Sequence, residues 1–190
     1  MALGITCDYD DAVWFPAPAF FPAMRWGWAE EWLDEASAVF AAASAGKTSR
    51  EQWYARLTPY AGASEESNEV GLAMLHLPNG DDEITLLDII IRKVTELTPV
   101  QGLYNPSAEE VDVVIGEEPY LSSTLGAGIR VSSKILGETE DEGDLHLLTY
   151  AFADENYYIQ AMSGHLDVDV LESFEEDIHS ILDTLRIVIE

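Results

Sequence analysis

The sequence predicts one α+β domain over residues 1–190, with an N-terminal helical hairpin, a mostly antiparallel sheet and a C-terminal helix packed on one face of that sheet. Residues 1–62 carry aromatic positions at helical spacing, which predicts the hairpin. Residues 63–190 carry short runs of β-branched and aromatic residues separated by turn-forming ones, which predicts about five to seven strands. The end of the chain changes to a helical period, which predicts the closing helix.

The N-terminal part starts with an extended segment, residues 5–15, because the prolines at 16, 18 and 22 delay any helix. A first helix is predicted from about Met24 to Ala43. A second helix is predicted to begin after Ser49, a good N-cap residue, and to end before Pro59. The two helices form the predicted hairpin.

Two explanations compete for the many aromatic residues of this part. Aromatic faces bind sugars and cations, so a ligand platform is one explanation, and a helix packed on a sheet is the other. We favour the core explanation because Trp28, Trp32 and Leu33 follow helical spacing. The aromatic positions are Trp14, Phe15, Phe20, Phe21, Trp26, Trp28 and Trp32.

The predicted strands follow the polar loop 61–69. Residues 84–97 also fit a helix by spacing, but the β-branched run Ile89–Ile91 favours a strand. Gly116 and Pro119 are expected to end the short strand before them. Gly126 and Gly128 lead into a strand, which indicates a bulge or a close backbone approach rather than a phosphate loop. The strands are expected at 70–77, 84–97, 111–115, 129–136, 145–152 and 157–163.

The closing helix is predicted from an apolar face at three, four and seven spacing. Asp169 is its expected N-cap, with Glu172 completing a capping box. The acids 175–177 lie near the positive end of the helix dipole and Arg186 near the negative end, so we interpret these acids as a solvated face. The apolar face consists of Leu171, Phe174, Ile178, Ile181, Leu182 and Leu185.

Composition indicates a folded protein with a strongly acidic surface. Of the 190 residues 47% are hydrophobic, enough for a core, and 36 acidic residues against 9 basic ones give a formal net charge of -27. Such a surface repels nucleic-acid phosphates and anionic lipids and attracts basic proteins, so we expect no nucleic-acid or membrane partner. Solubility, or a host with a generally acidic proteome, would also account for the charge.

Neither a membrane span nor a signal peptide is expected. No apolar run reaches the roughly eighteen residues of a transmembrane helix. Residues 1–10 contain no basic stretch followed by a long apolar one, so we expect a cytoplasmic protein. Cys7 is the single cysteine, which excludes a disulfide bond within the chain and predicts a free thiol.

The sequence lacks the signatures of hydrolytic chemistry. The four histidines are scattered, and no HExxH, CxxC or glycine-flanked serine motif is present. His165, Asp167 and Asp169 could coordinate a divalent cation, but their spacing is typical of a strand leading to a helix cap. The acidic loop does not match an EF-hand; its carboxylates are Glu138, Glu140, Asp141, Glu142 and Asp144. We therefore predict no catalytic, cofactor-binding or metal-binding residues.

A resemblance to a known fold rests on the order of three segments. These are a glycine-containing strand (LGAGIRVSSKIL), a hairpin (LHLLTYAFADENYYIQAMSG) and a terminal helix (LESFEEDIHSILDTLRIV). Residues 70–190 resemble the Mog1/PsbP-like fold, as found in small actinobacterial proteins whose last helix ends in a pattern like 181–186 here. The resemblance implies a binding or assembly factor rather than an enzyme.

Two hypotheses of function follow. The first is a non-enzymatic protein-binding module that neutralises or escorts a basic partner, for example a toxin or a secreted effector, and it rests on the charge, the missing motifs and the resemblance. The second is a small-ligand or divalent-metal-binding protein, conceivably a carboxylate-dependent hydrolase. It predicts a concave site lined by Trp28 or Trp32 between the helices and the sheet.

Overall fold

The computed structural model describes residues 3–18, 21–62, 70–77, 84–94, 113–137 and 143–189. Within these ranges it is an α+β protein with four α-helices, a seven-stranded sheet and a two-stranded sheet. The pairs β1–β9, β2–β3, β4–β8, β5–β6, β6–β7 and β7–β8 are antiparallel, which confirms the predicted class and sheet type. The strands are β1 (Leu3–Thr6), β2 (Trp14–Ala17), β3 (Val70–His76), β4 (Thr85–Lys93), β5 (Val113–Ser122), β6 (Gly126–Ile135), β7 (Leu145–Ala153), β8 (Tyr157–His165) and β9 (Arg186–Ile189).

In the large sheet the strands follow the order β2-β3-β4-β8-β7-β6-β5, and the small sheet pairs β1 with β9. The chain divides into two compact units. The helical unit comprises Asp10–Asn68 and Leu72–Leu86, and the C-terminal unit comprises Met1–Tyr9, Glu69–Gly71 and Leu87–Glu190. The prediction of a single domain is not tested by this division.

The helical unit contains α1 (Ala29–Ala43) and α2 (Arg50–Leu57), which ends in a 3-10 turn, Thr58–Tyr60. Ser49 caps α2 with a capping box: its hydroxyl accepts from the Gln52 amide at 3.3 Å, and its own amide donates to Gln52 Oε1 at 2.9 Å. α1 begins later than predicted. Ala23 and Trp26 exchange backbone hydrogen bonds of 3.0 and 2.9 Å, which holds the preceding residues in a turn instead of a helix.

Three tryptophans lie in the core of the helical unit: Trp26, Trp32 and Trp53. The Trp32 indole is fully buried and donates to the Pro16 carbonyl at 2.8 Å, and the Trp53 indole donates to Ser44 Oγ at 3.2 Å. Trp28 is 69% exposed, because it precedes α1 as its N-cap residue. The core explanation therefore holds for Trp32 and not for Trp28. The buried cluster consists of Phe15, Ala17, Trp26, Trp32, Leu33, Ala36, Phe40, Trp53, Leu57, Leu75 and Leu77.

The C-terminal unit confirms most of the predicted strands. Within the predicted segment 84–97, Thr85–Lys93 form the strand β4, in which buried and half-buried positions alternate as far as Ile91. β7 and β8 form the predicted hairpin. β5 differs from the prediction, because it continues through Gly116 and Pro119 to Ser122. A proline is tolerated there since β5 is the last strand of the sheet, and a bulge between Val114 and Gly116 shifts the register.

The closing helix was predicted too long and with the wrong cap. The structure has two shorter helices, α3 (Val168–Ser173) and α4 (Glu175–Leu182), because Phe174 adopts φ -110° and ψ 16° between them. Asp167, rather than Asp169, caps α3 and accepts from the Asp169 amide at 2.9 Å. Arg186 lies in β9 and not at a helix end, since the β-branched run after it pairs with β1.

Several predictions fall outside the described residues. These include Glu138, Glu140, Asp141 and Glu142 of the acidic loop, Phe20, and residues 95–97 and 111–112 of two predicted strands. Within the described part of the chain, no helix has the length and apolar character that a membrane span requires.

Cys7 follows β1 and is half-buried, and its thiol should be unreactive. Burial, reinforced by the negative charge of Asp8, raises the pKa of the thiol from 9.0 to about 11. Each pKa unit is about a tenfold change in thiolate, so we expect iodoacetamide to alkylate the folded protein at pH 8 about a hundredfold more slowly than the urea-unfolded chain. Asp8→Asn should speed the reaction and Asp11→Asn should not. Equal rates for folded and unfolded protein would contradict this expectation.

Candidate functional site

β5, at the edge of the large sheet, is the most exposed strand in the described part of the C-terminal unit. Among the described residues, β5 pairs with β6 on one side and with no strand on the other. Residues 113–119 are exposed on both faces of the strand. Val114 is 50% exposed and Ile115 is 58% exposed. An edge strand offers unpaired backbone amides and carbonyls, and here it also offers apolar side chains.

A polar cluster lies behind this edge and joins four elements of the unit. Arg130 of β6 binds Glu175, the first residue of α4, in a bidentate pair with Nε–Oε1 at 2.5 Å and Nη2–Oε2 at 3.0 Å. Arg130 Nη1 also donates to Glu118 Oε1 of β5 at 2.8 Å and to Ser132 Oγ at 3.0 Å. The side chains of Arg130 and Glu175 are 19% and 21% exposed, so the pair is largely removed from water.

Tyr150 of β7 extends the cluster towards His179 of α4. Its hydroxyl donates to Glu175 Oε1 at 2.7 Å and lies 2.8 Å from His179 Nε2. Since the single hydroxyl hydrogen is used for the carboxylate, His179 Nε2 carries a hydrogen and donates it to the hydroxyl oxygen. The Tyr120 ring of β5 packs edge-on against the Tyr150 ring, with centroids 4.9 Å apart, and lies tilted against the His179 ring, with centroids 4.8 Å apart. The network therefore connects α4 to β5, β6 and β7.

The pKa values show which groups of the cluster are charged. Burial opposes ionisation of Glu175, but hydrogen bonds from Arg130 and Tyr150 and the charge of Arg130 outweigh it, so the pKa of the carboxyl lies below its usual value. Burial and the neighbouring Glu175 raise the pKa of Tyr150 far above neutral. Burial, with the charges of Asp183 and Glu175, raises the pKa of Tyr120 to about 12.

The geometry of this polar cluster suits a structural role better than acid–base catalysis. Glu175 is ionised and its oxygens accept hydrogen bonds from protein groups, so it is a poor general base. The phenol of Tyr150 stays protonated at neutral pH, so it is a poor nucleophile. The donors of Arg130 are directed at two carboxylates and a serine.

A cavity of about 120 Å³ adjoins the cluster and the start of β5. Its walls include Ile115 of β5, Arg130 and Ser132 of β6, His146 of β7 and Glu172 of α3. His146 Nδ1 is buried and has no hydrogen-bond partner among the described residues. The other lining residues are Ser133, Leu147, Leu148, Val168 and Leu171.

A wider groove of about 400 Å³ lies elsewhere in the same unit, at the turn between β7 and β8 and the start of β9. Phe152, Tyr157 and Leu185 line it together with Arg186 and Asp154. The Arg186 side chain is exposed and forms no ion pair with any described residue. The volume of the groove lies in the range of small-molecule sites, about 300–1,000 Å³.

The sequence-predicted candidates do not meet in one site. His165 Nδ1 accepts from the Asp167 amide at 2.9 Å, so this pair belongs to the cap of α3. No group of three or more histidine, cysteine or acidic side chains that could hold a metal ion occurs among the described residues. A side-chain carbon on Gly128 would lie 2.5 Å from the Ala151 carbonyl oxygen, which confirms the predicted close backbone approach there.

Sequence reasoning missed the Arg130–Glu175 pair. Glu175 was interpreted as part of a solvated acidic face. It is half-buried and bound to Arg130, whereas its neighbour Glu176 is exposed. The sequence did hold a signal for this pair. Arg130 lies between Ile129 and Val131 in the middle of β6, and an arginine that is partly buried within a strand needs a carboxylate partner.

Comparison with known proteins adds no family to this description. A scan against protein-family models finds no match, and a search of curated proteins finds no significantly similar sequence.

Removing the Arg130 guanidinium should destabilise the fold, because it leaves the charge of the Glu175 carboxylate uncompensated. We expect Arg130→Gln to lower the free energy of unfolding by about 2 kcal/mol, less than a fully buried pair costs since both groups keep some solvent contact. Arg50→Gln is the control, because that pair with Asp34 is exposed, and it should cost less than about 1 kcal/mol. Urea unfolding measures both, and equal losses would refute the assigned role.

The contribution of this pair should vanish in acid. The pKa of Glu175 is lowered by folding, so its contribution is fully present above the unfolded-state value of about 4.3 and is lost as pH falls through the lower, folded-state value. The difference in unfolding free energy between wild type and Arg130→Gln should therefore be constant near neutral pH and should decrease as pH falls below about 4.3. A difference that grew on acidification would contradict the assignment.

Proposed function

We propose that this chain is a non-enzymatic, cytoplasmic protein-binding module that takes an extended segment of a basic partner on the open edge of β5. Strand addition supplies main-chain hydrogen bonds to the free edge, and the exposed side chains of the strand supply specificity. The observation that carries the proposal is the exposure of residues 113–119, in which Val113, Val114 and Ile115 are adjacent.

Charge favours a basic occupant. Glu117 and Glu118 lie in the exposed part of β5, and the whole chain has a formal net charge of -27. Complementary charge steers association and rejects partners of the same sign. For the same reason a second copy of this chain is a poor occupant, since edge-to-edge pairing would bring two acidic strands together. Pro119 and the bulge near Gly116 blunt the edge further against self-pairing.

The Mog1/PsbP-like resemblance forms part of this proposal. The antiparallel strands β6, β7 and β8 followed by α3 and α4 are in keeping with it, as is a binding rather than a catalytic role. The segment that suggested the family's final helix departs from the pattern, because α4 ends at Leu182 and Arg186 begins β9.

A small-ligand function is the second candidate, at a place different from the expected one. The groove lined by Phe152, Tyr157 and Arg186 has the size of a ligand site, and its free guanidinium is suited to an anionic group on an aromatic body. Of the two tryptophans expected to line such a site, Trp32 lies in the core of the helical unit and Trp28 is exposed.

Binding at β5 can be tested with an extended peptide of alternating lysine and valine and its glutamate counterpart. We expect the full chain to bind the lysine peptide, with affinity falling as salt rises past about 0.1 M, where the screening length is ~10 Å. Amide hydrogen exchange should show protection gained in β5. Binding of the glutamate peptide with equal affinity would refute the charge argument.

Val114→Lys should weaken this binding about fivefold or more, because it adds a repelling charge and removes apolar contact at the edge. Val188→Lys is the matched control: it makes the same change on β9, at a valine that is 37% exposed. Fluorescence anisotropy of the labelled peptide measures both. Equal weakening by the two variants would mean that binding depends on net charge and not on β5.

The groove can be tested with anilinonaphthalenesulfonate, an anionic aromatic probe. Binding to the folded chain should enhance its fluorescence, and Arg186→Gln should reduce its affinity about threefold or more through loss of the charged contact. Lys93→Gln, which removes an exposed cation outside the groove, should leave it unchanged. Equal loss in both variants would exclude the groove as the site.

A further inference from the structure

The cavity next to β5 has the size of one side chain. At about 120 Å³ it has room for ~four water molecules at ~30 Å³ each, well below the size of a drug-like site. Ile115, Val168 and Glu172 are exposed and form its mouth, whereas Leu148 and Leu171 are buried and form its inner wall. Ile115 belongs both to the exposed edge and to this wall, so a chain lying on the edge passes the mouth.

The charges around the cavity favour a cation. Arg130 lines it, but Glu175 at 2.5 Å and Glu118 at 2.8 Å already neutralise that guanidinium. Glu172, at the mouth, forms no ion pair with any described residue. Two carboxylates thus pair with the guanidinium and Glu172 adds a further negative charge at the cavity, so an anion entering here would be repelled.

Two polar residues that line the cavity, His146 and Ser132, have hydrogen-bond acceptor capacity left. His146 Nδ1 is buried without a hydrogen-bond partner among the described residues, and buried nitrogens are rarely left in that state. With its hydrogen on Nε2, the imidazole offers Nδ1 as an acceptor. Ser132 Oγ, which receives a hydrogen bond from Arg130 Nη1, has acceptor capacity left as well.

We propose that this cavity receives the side chain of one lysine from the segment that adds to β5. The methylene stem packs against Ile115, Val168 and Leu171, and the ammonium donates to Glu172. This inference rests on the proposed function, because the lysine belongs to the bound segment. It adds to that function a single anchor residue, which would fix the register of an otherwise repetitive strand pairing.

The cavity itself can be tested without any peptide, using butylammonium as the probe and butanol as its neutral counterpart. In methyl-labelled protein, butylammonium should shift the resonances of Ile115, Leu148, Val168 and Leu171. Glu172→Gln should weaken these shifts about tenfold or more, and Glu176→Gln, an exposed acid on α4, should not. Equal shifts with butanol, or none with butylammonium, would overturn the cation assignment.

The partner's lysine is tested by a double-mutant cycle on the lysine and valine peptide. Replacing its central lysine by norleucine should lower affinity about tenfold for wild type and very little for Glu172→Gln, because both changes remove the same contact. If the wild type binds both peptides equally, the anchor is refuted while docking on β5 stands. If butylammonium binds but no peptide does, the proposed function fails and with it the assignment of the ammonium to a partner chain.

Discussion

The bidentate pair between Arg130 and Glu175 constrains most of the C-terminal unit. Both groups are about four-fifths removed from solvent, so neither can stay ionised at low cost unless the other is in place. Glu175 is the first residue of α4, which fixes where that helix begins over β6. The hydroxyl of Tyr150 and the imidazole of His179 then fix its rotation, because each must reach the shared hydrogen-bond network.

The same pair controls the edge that we propose as the binding surface. Glu118 of β5 and Ser132 of β6 both accept from Arg130 Nη1, so the guanidinium holds the exposed strand to its neighbour. The cavity at the start of β5 is lined by that guanidinium as well. Stability and the proposed recognition would thus share one side chain, Arg130, in the middle of a strand.

Local patterns were sufficient to predict elements whose sequence and environment agree. The alternating period and β-branched run of residues 84–94 gave a strand, and Ser49 with Gln52 gave a capped helix. Long-range pairing was not predictable in this way. Arg186 follows a helical run and was assigned to its end, but the four residues from Arg186 pair with a strand at the other end of the sequence. Gly116 and Pro119 predicted the end of a strand, because both residues are unfavourable inside a sheet. Both are tolerated in an edge strand, and the sequence alone does not reveal that β5 is one.

The pairing of β1 with β9 has a consequence for the order of folding. Asp8 and Thr184 exchange hydrogen bonds although 176 positions separate them. Closing so long a loop costs more entropy than forming any neighbouring hairpin, and only a short two-stranded sheet is gained in return. β1 is synthesised long before β9, so the two strands can pair only after β9 has left the ribosome. We therefore expect this two-stranded sheet to form late in folding and to open early in local unfolding.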